Sequence, residues 1–250
     1  MRTAYPPVGT FEFEIDAYLT DFRGKATLPM IGGFMLQAAT RHAEQRGFGY
    51  SDMLGQQRAW VLSRMVIEMF EYPKNDTVFV LKTWVADVNK LFTERYFSFE
   101  DKDGKQLGYA KSIWASIDLE TRRPTEISNL EKLINYVDKV TKCPIDGIKK
   151  IPLQKNDAAK FIEGFAVKYS DIDINKHLSS LKYIEHFVDV FDIDVFKAKE
   201  IRRFQINYIS EVHYEDSIRF VKNADEDGNI FTLEMKNGNR TVCSSRITWN

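Results

Sequence analysis

Residues 28–47 read "LPMIGGFMLQAATRHAEQRG", and this stretch decides the fold because it has the length and composition of one long helix. Pro29 lies in its first turn and Gly47 follows its last turn, which are ordinary start and end signals. Residues 178–191, "LSSLKYIEHFVDVF", predict a second helix, whose apolar face is Leu178, Leu181, Ile184, Val188 and Phe191. One strand pattern precedes each helix, and we expect only strands after it.

The strands that follow the two helices also repeat. The matching segments are "MFEYPKNDTVFVLKTWV" (69–85) and "YISEVHYEDSIRFV" (208–221). Their alignment matches Asp76 with Asp216, and this register sets Glu71 opposite Glu211. Each half then continues into a hairpin with an Asp-Gly or Asn-Gly turn.

A helix that is apolar around most of its circumference, followed by hairpin-linked strands, is best buried by a curved antiparallel sheet wrapped around it. The sequence therefore predicts an α+β protein with two such units in tandem, a double hot-dog. We expect an N-terminal unit over residues 1–135, a linker over 136–157 and a C-terminal unit over 158–250.

Composition narrows the class of protein. Lys and Arg number 35 against 36 Asp and Glu, which gives a formal net charge of -1 and no overall field for nucleic acid. Two distant cysteines argue against a disulfide framework and favour a reducing compartment. The sequence has no run of about 18 apolar residues, and we see no signal or transit peptide at its start. We expect a cytoplasmic protein without a membrane span.

The segment "SDIDINKHLSSLKYIEHF" (170–187) places Asp173, Asn175 and His177 at alternate positions before the second helix. A calcium loop is disfavoured, because Lys176 stands where that loop needs Gly and Lys182 where it needs Glu. Helix capping explains one of the three residues but not all of them. A metal site through Asp173 and His177 lacks further clustered ligands, so we predict neither metal nor cofactor.

The same segment closely resembles the motif of plant and bacterial acyl-acyl-carrier-protein (acyl-ACP) thioesterases, in which Asp-x-Asn-x-His opens the second hot-dog helix. Three further stretches are similar to that family in the same order: 60–85, 112–124 and 207–218. The resemblance implies hydrolysis of fatty acyl-ACP, which releases free fatty acid and ends elongation. The implied partner is the carrier protein with its phosphopantetheine-linked acyl chain. An acyl-coenzyme A thioesterase and a non-catalytic acyl-binding module are the alternatives.

Matched to the family's motif, the catalytic residues implied are Asp173, Asn175, His177 and Glu211. Val212 stands where plant members have a Cys, which excludes a thiol nucleophile at that position. Cys243 is a poor substitute, because nothing near it in the sequence supplies the base that would activate its thiol. Ser179-Ser180 replaces the plant Asn-Asn pair.

Thioester hydrolysis needs an activated water and a donor for the oxyanion. As a hypothesis, Glu211 is the general base or, alternatively, the nucleophile. His177 would orient the water or polarise the carbonyl, Asn175 would donate its amide, and Asp173 would hold these side chains in place. The matching stretch of the first half, "TDFRGKATLP" (20–29), has no His and no Asn, so we expect one active site per chain.

The first half is predicted to hold the acyl chain, with Met30, Phe34, Met35 and Trp60 as candidate liners. Carrier docking is predicted at basic clusters: Arg202 and Arg203, Lys149 and Lys150, and Lys197 with Lys199. Acyl length, saturation and assembly, with a homodimer as one option, stay open.

Overall fold

The structure, a computed structural model, describes residues 5–128, 130–153 and 160–250. The chain divides into two compact units, Met1–Gly147 and Ile148–Asn250. This division falls inside the predicted linker, whose residues 154–157 lie outside the described part, as do the first two residues of the predicted C-terminal unit, 158 and 159. Among the described helices, none combines the length and apolar character needed to cross a bilayer.

The first unit has a five-stranded antiparallel sheet in the order β1-β3-β4-β5-β2. Its strands are β1 Gly9–Ile15, β2 Arg58–Met69, β3 Thr77–Val88, β4 Phe92–Asp101 and β5 Gln106–Asp118. Its helices are α1 Leu28–Arg46, α2 Tyr50–Leu54 and α3 Leu130–Ile134. Helix α1 contacts β1 and β3, and the core holds its fully buried Ile31 together with Leu81 and Trp84 of β3.

Helix α1 begins and ends where the sequence predicts. The Thr27 hydroxyl accepts from the Met30 N–H, Pro29 occupies the first turn, and Gly47 ends the helix at φ 71°. A left-handed residue after the last turn is the ordinary reason for a glycine there.

The second unit has its own antiparallel sheet in the order β7-β10-β9-β8-β6. Its strands are β6 Lys160–Ala166, β7 Ile201–Tyr208, β8 Ser217–Ala224, β9 Ile230–Asn237 and β10 Arg240–Trp249. Its helices are α4 Ser180–Val188 and α5 Ile193–Ala198. Ile184 and Phe187 of α4 are fully buried.

The second helix is shorter than predicted, nine residues instead of the fourteen of 178–191. Ser179 caps its start, and Asp192 caps α5 instead of continuing the same helix. Leu178 lies before the helix in an isolated bridge with Ile172. The expectation that only strands follow each main helix is also wrong, because α2 follows α1 and α5 follows α4.

The loops before the two main helices repeat the same backbone hydrogen bonds. In the first unit Asp21 N–H donates to the Lys25 carbonyl (2.8 Å), and in the second Asp173 N–H donates to the His177 carbonyl (2.9 Å). The equivalent residues are Asp21 and Asp173, Arg23 and Asn175, and Lys25 and His177. The first unit therefore has the motif's loop without its Asn and His.

Each loop is also tied to the chain segment before the third strand of its unit by an equivalent backbone bond. Ala26 N–H donates to the Pro73 carbonyl, and the equivalent Leu178 N–H donates to the Val212 carbonyl, both at 2.8 Å. Pro73 and Val212 are therefore equivalent positions.

This equivalence corrects the alignment of the two glutamates. Counting back from the two acceptors, Glu71 matches Ser210, and Glu211 matches the buried Tyr72. In the first unit, the backbone N–H groups of Phe70 and Glu71 both donate to the Leu107 carbonyl. In the second unit, those of Ile209 and Ser210 both donate to the Val242 carbonyl, which gives the same register. The predicted match of Glu71 with Glu211 is therefore wrong by one residue. The sequence permits it because each segment has a Glu five positions before an Asp, so the residue letters alone cannot distinguish the two registers.

Candidate active site

The Asp-x-Asn-x-His loop is a tight turn closed on itself. Oδ1 of Asp173 accepts from Asn175 N–H at 2.8 Å, and Asp173 N–H donates to the His177 carbonyl. Lys176 adopts a left-handed φ of 65° between them. The turn sets His177 at its end, three residues before α4 begins.

The segment that carries Glu211 lies directly beside this loop, since Leu178 donates to Val212. Val212 is fully buried, whereas Glu211 and His213 on either side of it are exposed. With Val212 buried, the side chains of both its neighbours, Glu211 and His213, reach the surface.

The structure brings two of the predicted catalytic side chains into contact. Nε2 of His177 lies 3.3 Å from Oε2 of Glu211, with side-chain exposures of 20% and 44%. These partly exposed groups can reach both water and a substrate. An imidazole beside a carboxylate is an arrangement able to hold a water molecule and accept its proton.

Asp173 and Asn175, the other two residues of the motif, lie in the same turn but differ in burial and in the hydrogen bonds that they make. Asp173 is half-buried and organises the turn through its carboxylate and its backbone N–H. Asn175 is exposed, and its backbone N–H makes the bond to Asp173.

Sequence reasoning missed two residues at this site. The ring centroid of His213 lies 4.9 Å from that of His177, in edge-to-face geometry. The Tyr183 hydroxyl donates to the Ser210 carbonyl at 3.4 Å, which ties α4 to the segment before Glu211. Burial raises the pKa of the Tyr183 phenol, and the nearby charge of Glu211 raises it further. The alternation of Glu211, Val212 and His213 is the sequence signal for His213.

His186 has a structural part, as its place outside the motif suggests. Its Nε2 lies 3.3 Å from Oδ1 of the buried Asp171. Its ring stacks on Phe165 with centroids 3.6 Å apart.

The two thiols are not activated. Cys243 is fully buried, and burial raises its pKa well above the ordinary value. Burial also raises the pKa of Cys143 to about 11. Because the thiolate is the reactive form, neither cysteine suits the part of nucleophile.

Two family models together match most of the chain. Residues 8–139 match the acyl-ACP thioesterase N-terminal domain, and residues 154–250 match the acyl-ACP thioesterase C-terminal domain. The chain belongs to the acyl-ACP thioesterase family. The family, the tandem hot-dog fold and the enzyme class, a thioester hydrolase, are confirmed as predicted.

Solved members of the acyl-ACP thioesterase family share the fold over the full chain. An acyl-ACP thioesterase from Bacteroides thetaiotaomicron is 38% identical, with a TM-score of 0.89 and 98% of each chain covered. The 12:0-ACP thioesterase from Umbellularia californica is 20% identical, with a TM-score of 0.87 and the same coverage. At that lower identity the likeness shows the fold alone.

The matched chloroplastic plant thioesterases are less similar in sequence to this chain than the Bacteroides protein is. The chloroplastic oleoyl-acyl carrier protein thioesterase 2 of Arabidopsis thaliana is 23% identical over 94% of this chain and 68% of its own length. The chloroplastic palmitoyl-acyl carrier protein thioesterase of Cuphea hookeriana is 26% identical over 95% and 61%. This chain thus spans about two thirds of the length of these plant proteins.

The first unit of this thioesterase contains a cavity of about 150 Å³ between α1, α2 and the sheet. Its wall includes Ala39 and Ala43 of α1 and Trp60 and Trp114 of the sheet. Arg95 also lines it and is buried. Burial, with the charge of Arg46, lowers the Arg95 pKa to about 9. The cavity is therefore largely apolar with one cationic group in its wall.

Of the four predicted acyl-chain liners, Trp60 lies in the wall of this cavity, and its Nε1–H donates to the Phe48 carbonyl at 2.8 Å. Met30, Phe34 and Met35 are not among the described residues that form the wall. Phe34 packs with Phe13 and Phe79 instead. Met35 is fully buried in the core.

The predicted docking residues lie in the second unit. Lys149 and Lys150 are exposed, and the Lys149 carbonyl accepts a hydrogen bond from Gln205 of β7. That strand also carries Arg202 and Arg203, which are half-buried and engaged in other contacts. Lys197 is also exposed but pairs with Asp194, and the half-buried Lys199 donates to Asn229. Lys149 and Lys150 are therefore the better candidates for an external partner.

Proposed function

We propose that this chain hydrolyses the thioester of fatty acyl-ACP and releases the free fatty acid. The observation that carries this proposal is the His177–Glu211 pair, 3.3 Å apart at the end of the motif loop, in a chain of the acyl-ACP thioesterase family. A non-catalytic acyl-binding module has no need of such a pair. Initial rates on matched acyl-ACP and acyl-coenzyme A thioesters test the proposal and separate the two donors.

In the proposed reaction, Glu211 accepts a proton from a water molecule as the water oxygen attacks the thioester carbonyl carbon. The carbon–sulfur bond then breaks, and the departing thiolate takes the proton from Glu211, so that the thiol forms and the carboxylate is restored. His177 holds the attacking water beside Glu211 or donates to the carbonyl oxygen. The general-base role needs no covalent bond to the enzyme.

The developing oxyanion requires hydrogen-bond donors. The exposed side-chain amide of Asn175 is one candidate, and the N–H groups at the start of α4 add favourable polarity. Asp173 shapes the turn that presents both Asn175 and His177. We therefore assign Asp173 a positioning role.

A reaction in oxygen-18 water distinguishes the two roles proposed for Glu211, general base and nucleophile. A single turnover in labelled water leaves the label only in the fatty acid if Glu211 is a general base. If Glu211 forms a covalent anhydride and water attacks the Glu211 carbonyl carbon, the label enters the Glu211 carboxylate and the fatty acid leaves with an unlabelled oxygen from Glu211. Mass spectrometry of the peptide containing Glu211 measures the difference.

We expect carrier docking to depend on Lys149 and Lys150, because an acidic carrier surface pairs with exposed cations. The double variant Lys149→Glu, Lys150→Glu should raise KM for acyl-ACP severalfold and leave a short acyl-coenzyme A rate nearly unchanged. The matched control reverses Lys139 and Lys142, two exposed lysines of the first unit. Equal losses on both substrates would argue against docking at this surface.

We propose that the cavity in the first unit holds the acyl chain and sets its length. Ala39→Val narrows the cavity, and a pocket methylene is worth about 1 to 3 kcal/mol, so preference should move one or two carbons shorter. Ala38→Val is the control, because Ala38 is buried on the same helix but is not in the wall. Chromatography of the released acids gives the profile. The idea fails if both variants lower stability and neither changes the profile.

Location and assembly stay predictions. We propose a cytoplasmic location for this chain, whereas the matched plant proteins are chloroplastic. A homodimer stays one option for assembly, and light scattering during size-exclusion chromatography would measure it.

A further inference from the structure

Three side chains with metal-ligand atoms meet at the candidate active site: His177, Glu211 and His213. One nitrogen or oxygen atom from each lies within 4.8 Å of the other two. We propose that these three side chains form a binding site for a divalent transition-metal ion, typified by Zn²⁺, and that the bound ion inhibits hydrolysis.

One of the three distances between ligand atoms already has the value of a tetrahedral zinc site. With metal–ligand bonds of about 2.1 Å, two ligand atoms of a tetrahedron are about 3.4 Å apart. The 3.3 Å between His177 Nε2 and Glu211 Oε2 already has this value. His213 is exposed, so its ring can turn the remaining distance without disturbing the core.

The donor set selects the kind of ion. Two imidazoles and one carboxylate are a zinc-type set that leaves a fourth position for water. Mg²⁺ and Ca²⁺ prefer sites made of oxygen atoms, so we expect them to bind much more weakly. The site is thus expected to discriminate between transition-metal and alkaline-earth ions.

The backbone beneath the three ligands is held in place. Leu178, the residue after His177, donates to the carbonyl of Val212, the residue between the other two ligands. The backbone N–H of His213 donates to the Asp216 carboxylate at 2.8 Å. Little reordering of the chain is needed to bring the three ligand atoms onto one ion.

The other His and Cys side chains compete poorly for a metal ion. His42 is buried, and its Nε2 lies 2.8 Å from the Pro7 carbonyl oxygen. Burial raises the pKa of both Cys143 and Cys243, which disfavours the thiolate form that binds metals. His186 is occupied by Asp171 and Phe165. We therefore expect one ion per chain.

Inhibition, unlike binding, rests on the proposed function. A bound ion takes the Glu211 lone pair that would accept the water proton, and it takes Nε2 of His177. His213 has no assigned part in hydrolysis, so its removal separates metal binding from the reaction.

Calorimetric titration of the full chain with Zn²⁺ tests the site directly, and the visible spectrum of added Co²⁺ reports tetrahedral coordination. We expect one ion per wild-type chain. Loss of an outer partner of a metal ligand costs about 10–100-fold in affinity, so His213→Asn, which removes a ligand itself, should weaken Zn²⁺ binding by at least about a hundredfold. His186→Asn, the matched control, should bind as the wild type does.

In the rate assay, Zn²⁺ should inhibit the wild type and a chelator should restore its rate. The rate of His213→Asn should be the same with Zn²⁺ as with chelator, so each variant is compared only with its own rate in chelator. Absence of stoichiometric binding, or equal binding by His213→Asn, would overturn the metal site. Activation by Zn²⁺ would overturn the inhibition. Zn²⁺ binding that depends on His213 in a chain without thioesterase activity would support the site and reject the proposed function.

Discussion

Glu211→Ala is expected to lower turnover on acyl-ACP by at least about a hundredfold, the range for loss of a general base. Its carboxylate is the group beside His177 that can accept the proton of the attacking water. The side chain is 44% exposed, so its removal leaves no buried cavity and the protein should stay folded. Initial rates on purified protein, with circular dichroism as the folding check, measure the effect.

Glu71→Ala is the control, and it should keep turnover within severalfold of the wild type. Glu71 is in the other unit, where its carboxylate accepts a hydrogen bond from Lys105. This bond lowers the pKa of the Glu71 carboxyl group. The assignment is wrong if folded Glu211→Ala turns over normally or if Glu71→Ala is the variant that loses activity.

His177→Ala is expected to reduce turnover by about a hundredfold to a thousandfold, the cost of losing a donor aimed at the transition state. The imidazole sits at the end of the motif turn, where it can hold the water or the carbonyl oxygen. KM should change much less than kcat, because the acyl chain and the carrier are held by other residues.

His186→Ala is the matched control from the same unit. It removes one partner of the buried Asp171 and the stacking on Phe165, so it should lower Tm. The stability cost should be about 1 to 3 kcal/mol, with turnover within severalfold of the wild type. A rate loss in His186→Ala as large as that in His177→Ala would contradict the separate roles given to the two histidines.

Much of the fold is predictable because helix and strand periodicity are local. Pro29 and Gly47 mark the ends of α1 because the physics of helix ends acts within a few residues. The second helix is less predictable. Its apolar pattern continues through Phe191, but capping by Asp192 starts a separate helix.

The register of the internal repeat could not be predicted from the letters. Glu71 and Glu211 each precede an Asp by five residues, yet the bonds from Ala26 and Leu178 set Glu211 equivalent to Tyr72. These bonds join residues far apart in the chain, and an off-by-one shift leaves the local pattern nearly unchanged. The conclusion that the first unit lacks the motif's Asn and His does not depend on that register.

The sequence by itself determined the two hot-dog units and the motif loop, since these depend on residue type and local spacing, and the resemblance of its motifs to the family implied His177 and Glu211. Only the tertiary structure decided which side chains meet. It placed His213 beside His177 and Trp60 in the wall of a cavity whose described lining does not include Met30, Phe34 or Met35. The physical reason is that periodicity shows which side of an element is buried, whereas its neighbours depend on long-range packing and hydrogen bonding.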